Sequence, residues 1–172
     1  SVDMAKMKTW KDGIVTRLTG GIAELFKRNK IETVAGQASF AKDGSVVVAT
    51  AKGQLSVQAK QVLIATGASV VQLPGMEIDD DRFLSAKEAL DLTEVPENLL
   101  VIGGGIVGLE IGTYMRKLGA NVTIVELADQ LLSGTDPELV KVVQRNLKKR
   151  KVAVHLQSKV TSIGSGKGTV EA

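Results

Sequence analysis

Met7, Trp10, Ile14, Leu18, Ile22 and Leu25 recur at spacings of three and four. That pattern predicts one face of a long helix ending near Asn29, with the face turned toward a core. Beyond it the period shortens. The runs "IETVA" (31–35), "SVVVAT" (45–50), "QLSVQA" (54–59) and "QVLIAT" (61–66) are separated by the turn signals "KDG" and "KG". They predict a small antiparallel meander feeding one buried strand over 61–66. From Gly67 to Pro96 the pattern is broken by Pro74-Gly75, by Asp79 to Asp81 and by Pro96. With one short helical piece around Ser85 to Leu90, this stretch reads as a connection between two lobes. After Pro96 the texture becomes regular: strand 99–102, helix 106–118, strand 121–126, helix 137–150, strand 152–156. Gly119 suits the end of the first of these helices, and Asp136-Pro137 supply an N-cap and a first-turn proline for the second. Such alternation predicts an α/β fold in which helices pack on a parallel sheet.

Composition narrows the function classes. The chain has 172 residues, 44% of them hydrophobic, and no apolar run long enough to cross a bilayer. Basic and acidic residues nearly balance, 22 against 19, and one Trp, one Tyr and three Phe leave little to stack on bases. Neither a membrane nor a nucleic acid is therefore expected as a partner. With no cysteine and a single histidine, His155, the chain offers no disulfide, no thiolate nucleophile and no common zinc site. No metal site is expected. The N-terminal "SVDMAKMKTW" lacks the apolar core of a signal peptide, which makes the cytoplasm the default location. The first residue is not Met and "GTVEA" gives no finishing signal, so both ends are expected to be internal to a longer polypeptide.

The candidate chemistry lies in "LLVIGGGIVGLE", residues 99–110. Gly103-x-Gly105-x-x-Gly108 falls where a predicted strand becomes a helix. A dinucleotide-binding turn needs a first glycine for the bend, a second for backbone approach to a pyrophosphate, and a third for close packing of helix on strand. The free N–H groups at the helix start then face the phosphates. Gly112 extends the small face by a further turn. The next strand ends in "VTIVE", which puts Glu126 at its carboxyl end, 23 residues after Gly103. A carboxylate there can accept hydrogen bonds from both ribose hydroxyls and repels a 2′-phosphate, which favours NAD over NADP. Glu110, one turn into the helix, is either a solvated residue or one that points toward the reactive end of the dinucleotide. Three other features read as structural. "GSGKGT" (164–169) lacks the G-x-x-x-x-G-K-S/T spacing and suits a hairpin. Lys148 to Lys151 suit a helix C-terminus, and His155 has no nucleophile beside it in sequence.

Taken together, "LTGGIAELFKRNKIETVAGQASF", "VLIATGASVVQLPG" and "VIGGGIVGLEIGTYMRKLGANVTIVE" closely resemble the dihydrolipoamide dehydrogenases of the pyridine nucleotide-disulfide oxidoreductase class. The resemblance runs over essentially the whole chain. It implies a partial FAD-binding domain over 1–96, including a β-meander, and a Rossmann-like NAD-binding domain over 97–172, incomplete at its C-terminal end. It further implies that Gly103, Gly104, Gly105, Ile106, Val107, Gly108, Leu109 and Glu110 wrap the NAD pyrophosphate. Glu126 would hold the adenosine ribose, and the backbone of Val160 would lie by the adenine. Ala38, Thr66, Gly67 and Ala68 match segments that pass close to FAD. Glu110 matches a glutamate near flavin and nicotinamide whose usual lysine partner has no counterpart here.

The departures from the family pattern are large. The FAD-binding G-x-G-x-x-G, the redox cysteine pair and the C-terminal His-Glu pair do not appear in the 172 residues. No catalytic residue is therefore assigned in this chain. In the complete enzyme the resemblance implies oxidation of dihydrolipoyl groups through a disulfide and FAD to NAD. It implies a homodimer that serves the lipoyl domains of 2-oxo acid dehydrogenase complexes, in the cytoplasm or a mitochondrial matrix. Another flavoprotein disulfide reductase and a stand-alone NAD-binding module are the alternatives. If residues 1–96 lack the parallel strands of their own sheet, an exposed apolar face is expected.

Overall fold

The structure, a computed structural model, describes residues 2–72, 82–161, 164–166 and 169–171. Pro74-Gly75, Asp79 to Asp81 and the Lys167-Gly168 turn lie outside the described residues. The chain divides into two compact units, Asp12–Ser69 and the combination of Ser1–Lys11 with Val70–Ala172.

The long helix forms as its spacing predicts, as α1 over Met4–Arg28. Its apolar face does not become core. Trp10 is 69% exposed, Leu18, Ile22 and Leu25 are exposed, and only Met4 is buried. Periodicity identifies which side chains share a face; it does not supply the surface that covers them.

Within Asp12–Ser69, β1 (Gln37–Phe40), β2 (Val46–Thr50) and β3 (Gly53–Val57) form an antiparallel meander in the order β1-β2-β3. Ala38 pairs with Val48, and Val47 with Ser56. The "KDG" turn is closed by Asp43, whose Oδ1 accepts from the N–H of Ser45 at 3.0 Å and from its hydroxyl at 2.7 Å. Two expectations fail here. Residues 31–35 are not a strand, and the first strand lies further on, at 37–40. Residues 61–66 are neither a strand nor buried: Leu63 is 91% exposed. Both runs have strand-like composition, but such composition becomes a strand only where a neighbour takes up its N–H and C=O groups. The meander offers that neighbour to 37–40 and not to 31–35 or 61–66.

The other unit holds the regular alternation. A parallel sheet in the order β4-β5-β6 is built from Asn98–Ile102, Asn121–Val125 and Ala153–His155. Val101 lies opposite Ile124, and Ile124 opposite Val154. Helix α3 (Ile106–Leu118) connects β4 to β5, and α4 (Pro137–Lys149) connects β5 to β6. Gly119 ends α3 at φ 117°, in the left-handed region that glycine adopts without strain. The Asp136 carboxylate caps α4 by accepting from the Glu138 N–H at 2.8 Å. Val101, Leu109, Met115, Val122, Ile124, Leu131, Val140 and Leu147 form the core between sheet and helices.

The short helix α2 (Ala86–Asp91) carries a reciprocal capping box between Ser85 and Glu88. Asp91 at its end pairs with Lys8 at 3.8 Å and with Lys11 of the first turns of α1. Gly164–Gly166 and Thr169–Glu171, here β7 and β8, pair antiparallel, the hairpin expected of "GSGKGT".

Candidate dinucleotide site

The carboxyl ends of β4 and β5 meet the N-terminus of α3, the position at which an open parallel sheet takes a ligand. Gly103, the first residue after β4, has φ 102°, and its N–H donates to the Val125 carbonyl at 2.8 Å. Only glycine makes that bend without strain. Gly105 caps α3 in extended conformation, φ −76° and ψ 178°, and a Cβ built on it meets no atom within 4 Å. At Gly108 the opposite holds. A Cβ there lies 2.5 Å from the Gly103 carbonyl oxygen and 2.9 Å from Val101 Cγ1, which fixes how closely α3 sits on β4. The three glycines therefore divide into bend, open approach and tight packing. Gly112 differs from the expectation: a Cβ there finds Val122 and Val101 at 3.4 and 3.5 Å, ordinary contact distances, so the spacing permits a larger residue.

Glu126 follows β5 directly and is half-buried. Its Oε1 accepts from the Ala128 N–H at 2.7 Å and its Oε2 from the Gly104 N–H at 2.6 Å. These two bonds, the Ala128 one foremost, hold its carboxyl below the usual carboxylate range, against the opposing effect of burial. A carboxylate offers about four lone-pair sites, so each oxygen keeps one for a further donor. The segment after β6 comes alongside: Ser158 N–H donates to the Glu126 carbonyl and Gln157 N–H to that of Ala128, both at 2.9 Å. Val160, two residues further on, is half-buried in irregular structure.

On the first turn of α3, Ile106 and Val107 are exposed while Leu109 turns into the core. Glu110 is exposed. The structure thus gathers Gly103, Gly104, Gly105, Gly108 and Glu126 at one sheet edge. Ala38 is an exposed residue of β1, and Thr66, Gly67 and Ala68 form an exposed segment with Gly67 at φ 75°. Neither segment has a glycine turn between a parallel strand and a helix, so the means of holding a second pyrophosphate is not built from them.

Sequence reasoning missed Ala128, Leu131 and Leu132 in the connection from β5 to α4. The Leu132 N–H donates to the Gly104 carbonyl at 2.9 Å, and Leu131 is fully buried against Gly104. The available signal was the adjacent pair Leu131-Leu132, flanked by the polar residues Asp129, Gln130 and Ser133. The features read as structural keep that reading. Lys148 and Lys149 lie in the last turn of α4, and Arg116 donates to the carbonyls of Arg150 and Ala120 at 2.6 and 2.9 Å. The exposed His155 contributes its backbone carbonyl to the Glu126 N–H. Among the described residues there is no cluster able to hold a metal ion and no helix long and apolar enough to cross a membrane.

Known proteins with the same features complete the picture. A dihydrolipoyl dehydrogenase of Pseudomonas putida is 41% identical over 162 residues, 94% of this chain and 35% of that protein. A mitochondrial dihydrolipoyl dehydrogenase of Arabidopsis thaliana is 41% identical over 171 residues, 99% of this chain and 34% of its own length. The chain thus spans about a third of the curated relatives it matches. The crystal structure of LpdA from Mycobacterium tuberculosis superposes with a TM-score of 0.91 at 22% identity, covering 99% of this chain and 39% of that one, which shows a shared fold. The family model for pyridine nucleotide-disulphide oxidoreductases matches residues 2–172. With the parallel sheet, the divided roles of its glycines and the acid after β5, this places the chain in the pyridine nucleotide-disulphide oxidoreductase family.

Proposed function

We propose that this chain carries the NAD site and part of the FAD site of a flavin-dependent oxidoreductase of the dihydrolipoyl dehydrogenase type, which oxidises dihydrolipoyl groups with NAD as final acceptor. The observation that carries the proposal is the open face of Gly105 between the bend at Gly103 and the packed Gly108, with the Glu126 carboxylate at the end of the adjoining strand. Bound NAD supplies the hydride acceptor. The chain's own residues bind and orient it. Because the Gly104 N–H is held by Glu126, the phosphates fall to the N–H groups of Gly105, Ile106 and Val107, at the helix end where backbone donors lack intrahelical partners. The free lone pairs of Glu126 take the ribose hydroxyls, and its negative charge excludes a 2′-phosphate. Ile106, Val107 and Glu110 present their exposed side chains along the path of the dinucleotide, with Leu109 anchoring that turn in the core, and Val160 lies toward the adenine.

In this reading residues 97–172 are the NAD-binding part and 1–96 a portion of the FAD-binding part, with Ala38, Thr66, Gly67 and Ala68 contributing backbone contacts to FAD. The redox disulfide that the activity requires is not in these 172 residues, which contain no cysteine. A homodimer acting on lipoyl domains of 2-oxo acid dehydrogenase complexes, in the cytoplasm or a mitochondrial matrix, completes the proposal. It rests on relatives of that name, matched over most of this chain.

The test is made on the protein purified from its source, by denatured mass, visible absorption and dihydrolipoamide-dependent NAD reduction. A yellow polypeptide well above 18.2 kDa that reduces NAD and prefers it to NADP is the expected result. A colourless protein of 18.2 kDa that binds NADH without reducing NAD refutes the enzyme and leaves a binding module.

A further inference from the structure

The fingerprint logic that explains Gly103, Gly105 and Gly108 leaves the residue at position 104 free. The structure does not. The Gly104 N–H donates to Glu126 Oε2 at 2.6 Å and its carbonyl accepts from the Leu132 N–H at 2.9 Å, so both backbone polar groups are held by the segment that follows β5. The backbone at 104 is outside the left-handed region, and glycine is demanded there by space. An added Cβ falls on Leu131 Cδ2 and within 3.2 to 3.3 Å of Glu126 Oε2 and Cβ. Leu131 is fully buried, and Leu132 holds φ 52°, a conformation that a leucine adopts only where its surroundings impose it.

We infer that Gly104, Leu131, Leu132 and Glu126 form a latch that sets the conformation of the pyrophosphate loop before the dinucleotide arrives. Glu126 is in this sense a positioning residue as well as the proposed ribose ligand, and the β5-to-α4 connection takes part in the cofactor site through the Leu132 N–H and the Leu131 side chain that hold Gly104. The inference rests on the NAD reading above for its functional consequence, and on the hydrogen bonds alone for its structural one. The latch orients the Gly104 peptide so that its N–H points away from the ligand. The donors of Gly105, Ile106 and Val107 are then presented in one fixed arrangement, which lowers the ordering cost of binding.

The experiment compares wild type, Gly104→Ala, Leu131→Val and the double variant in the full-length protein. Leu131→Val removes the methyl group that the new Cβ meets. Two measurements are made: amide hydrogen exchange at Gly104 and Leu132 without ligand, and binding of adenosine, ADP-ribose and NADH. The latch predicts slow exchange of both amides in wild type, at least tenfold faster exchange in Gly104→Ala, and recovery in the double variant. It also predicts that Gly104→Ala loses at least tenfold in affinity for ADP-ribose and NADH but less than threefold for adenosine, which has no pyrophosphate, with recovery in the double variant. Fast exchange of the Gly104 and Leu132 amides in wild type, or wild-type exchange and affinity in Gly104→Ala, overturns the latch. An equal loss for all three ligands without recovery also overturns it, because a general loss of structure does not distinguish the pyrophosphate. Slow exchange that responds to the substitutions, in a protein that binds no NADH, keeps the latch and overturns the cofactor reading instead.

Discussion

Gly105 and Gly108 lie three residues apart, yet a methyl group added at each meets opposite surroundings. At Gly108 the new carbon is 2.5 Å from the Gly103 carbonyl oxygen, a backbone atom that cannot rotate away, and 2.9 Å from Val101 Cγ1. Overpacking of this kind costs roughly 1–3 kcal/mol, and the backbone partner puts Gly108→Ala at the upper end. The better helix propensity of alanine offsets about 1 kcal/mol, which leaves a loss of about 2 kcal/mol. For a cooperative unit of about 150–250 residues that lowers Tm by roughly 4–8 °C. At Gly105 the new carbon meets nothing, and the backbone is in an ordinary extended conformation. Alanine is a poorer N-cap than glycine but restricts the unfolded chain, and the two effects, each below about 1 kcal/mol, cancel. The cost of Gly105→Ala is expected only with the ligand. Holding a phosphate away from one backbone N–H forfeits a charge-assisted hydrogen bond of about 1.5–3 kcal/mol, a roughly 10- to 150-fold weaker Kd. Thermal melts and NADH fluorescence titrations on the same preparations separate the two effects. A Gly105→Ala protein that melts as early as Gly108→Ala, or that binds NADH like wild type, refutes the division of roles between these glycines.

Three further outcomes are expected. Glu126→Ala should bind NADH more weakly and lower the NAD-over-NADP preference by roughly tenfold, about 1.4 kcal/mol; an unchanged ratio in paired titrations removes Glu126 as the ribose ligand. Because the folded-state pKa of Glu126 is depressed, its stabilising contribution is present above the ordinary value of 4.5 and is lost as the pH falls through the depressed value. The Tm difference between wild type and Glu126→Gln should therefore be largest near neutral pH and shrink as the pH falls below 4.5, whereas a constant difference means that the charge is not what stabilises the loop. Gly112→Ala, whose Cβ meets only contacts of 3.4 Å and beyond, should raise stability by up to about 1 kcal/mol in thermal melts, and a loss of stability shows that α3 sits tighter on the sheet than these contacts imply.

The alternation after Pro96 was legible to within a residue or two because its signals are local. Asp136 and Pro137 start α4, Gly119 ends α3, and the apolar positions of each element point at the same core. The misreadings have one physical origin. Residues 31–35 and 61–66 have the composition of strands, and α1 has a continuous apolar face, but pairing and burial depend on partners that no single segment encodes. The site divides in the same way. The roles of Gly103, Gly105 and Gly108 follow from where a strand gives way to a helix. The constraint on Gly104 comes from Leu131 and Leu132, distant in sequence, and was invisible until the fold brought them together. Glu126 was legible as an acid at a strand end, whereas its bond to the Gly104 amide was not.

The exposed run Val62-Leu63-Ile64 bears on how the polypeptide reaches its native state. Three consecutive exposed apolar residues, two of them β-branched, in a segment that pairs with no strand among the described residues, are a template for pairing with an identical segment of another molecule. In a nascent chain the segment is therefore open to its copies on neighbouring chains. The β4–β5–β6 unit, closed by crossovers of local sequence range, buries its apolar strands through contacts that form quickly. The expected consequence is that association of unfolded or nascent chains starts at Val62 to Ile64 and not in the β4–β5–β6 unit.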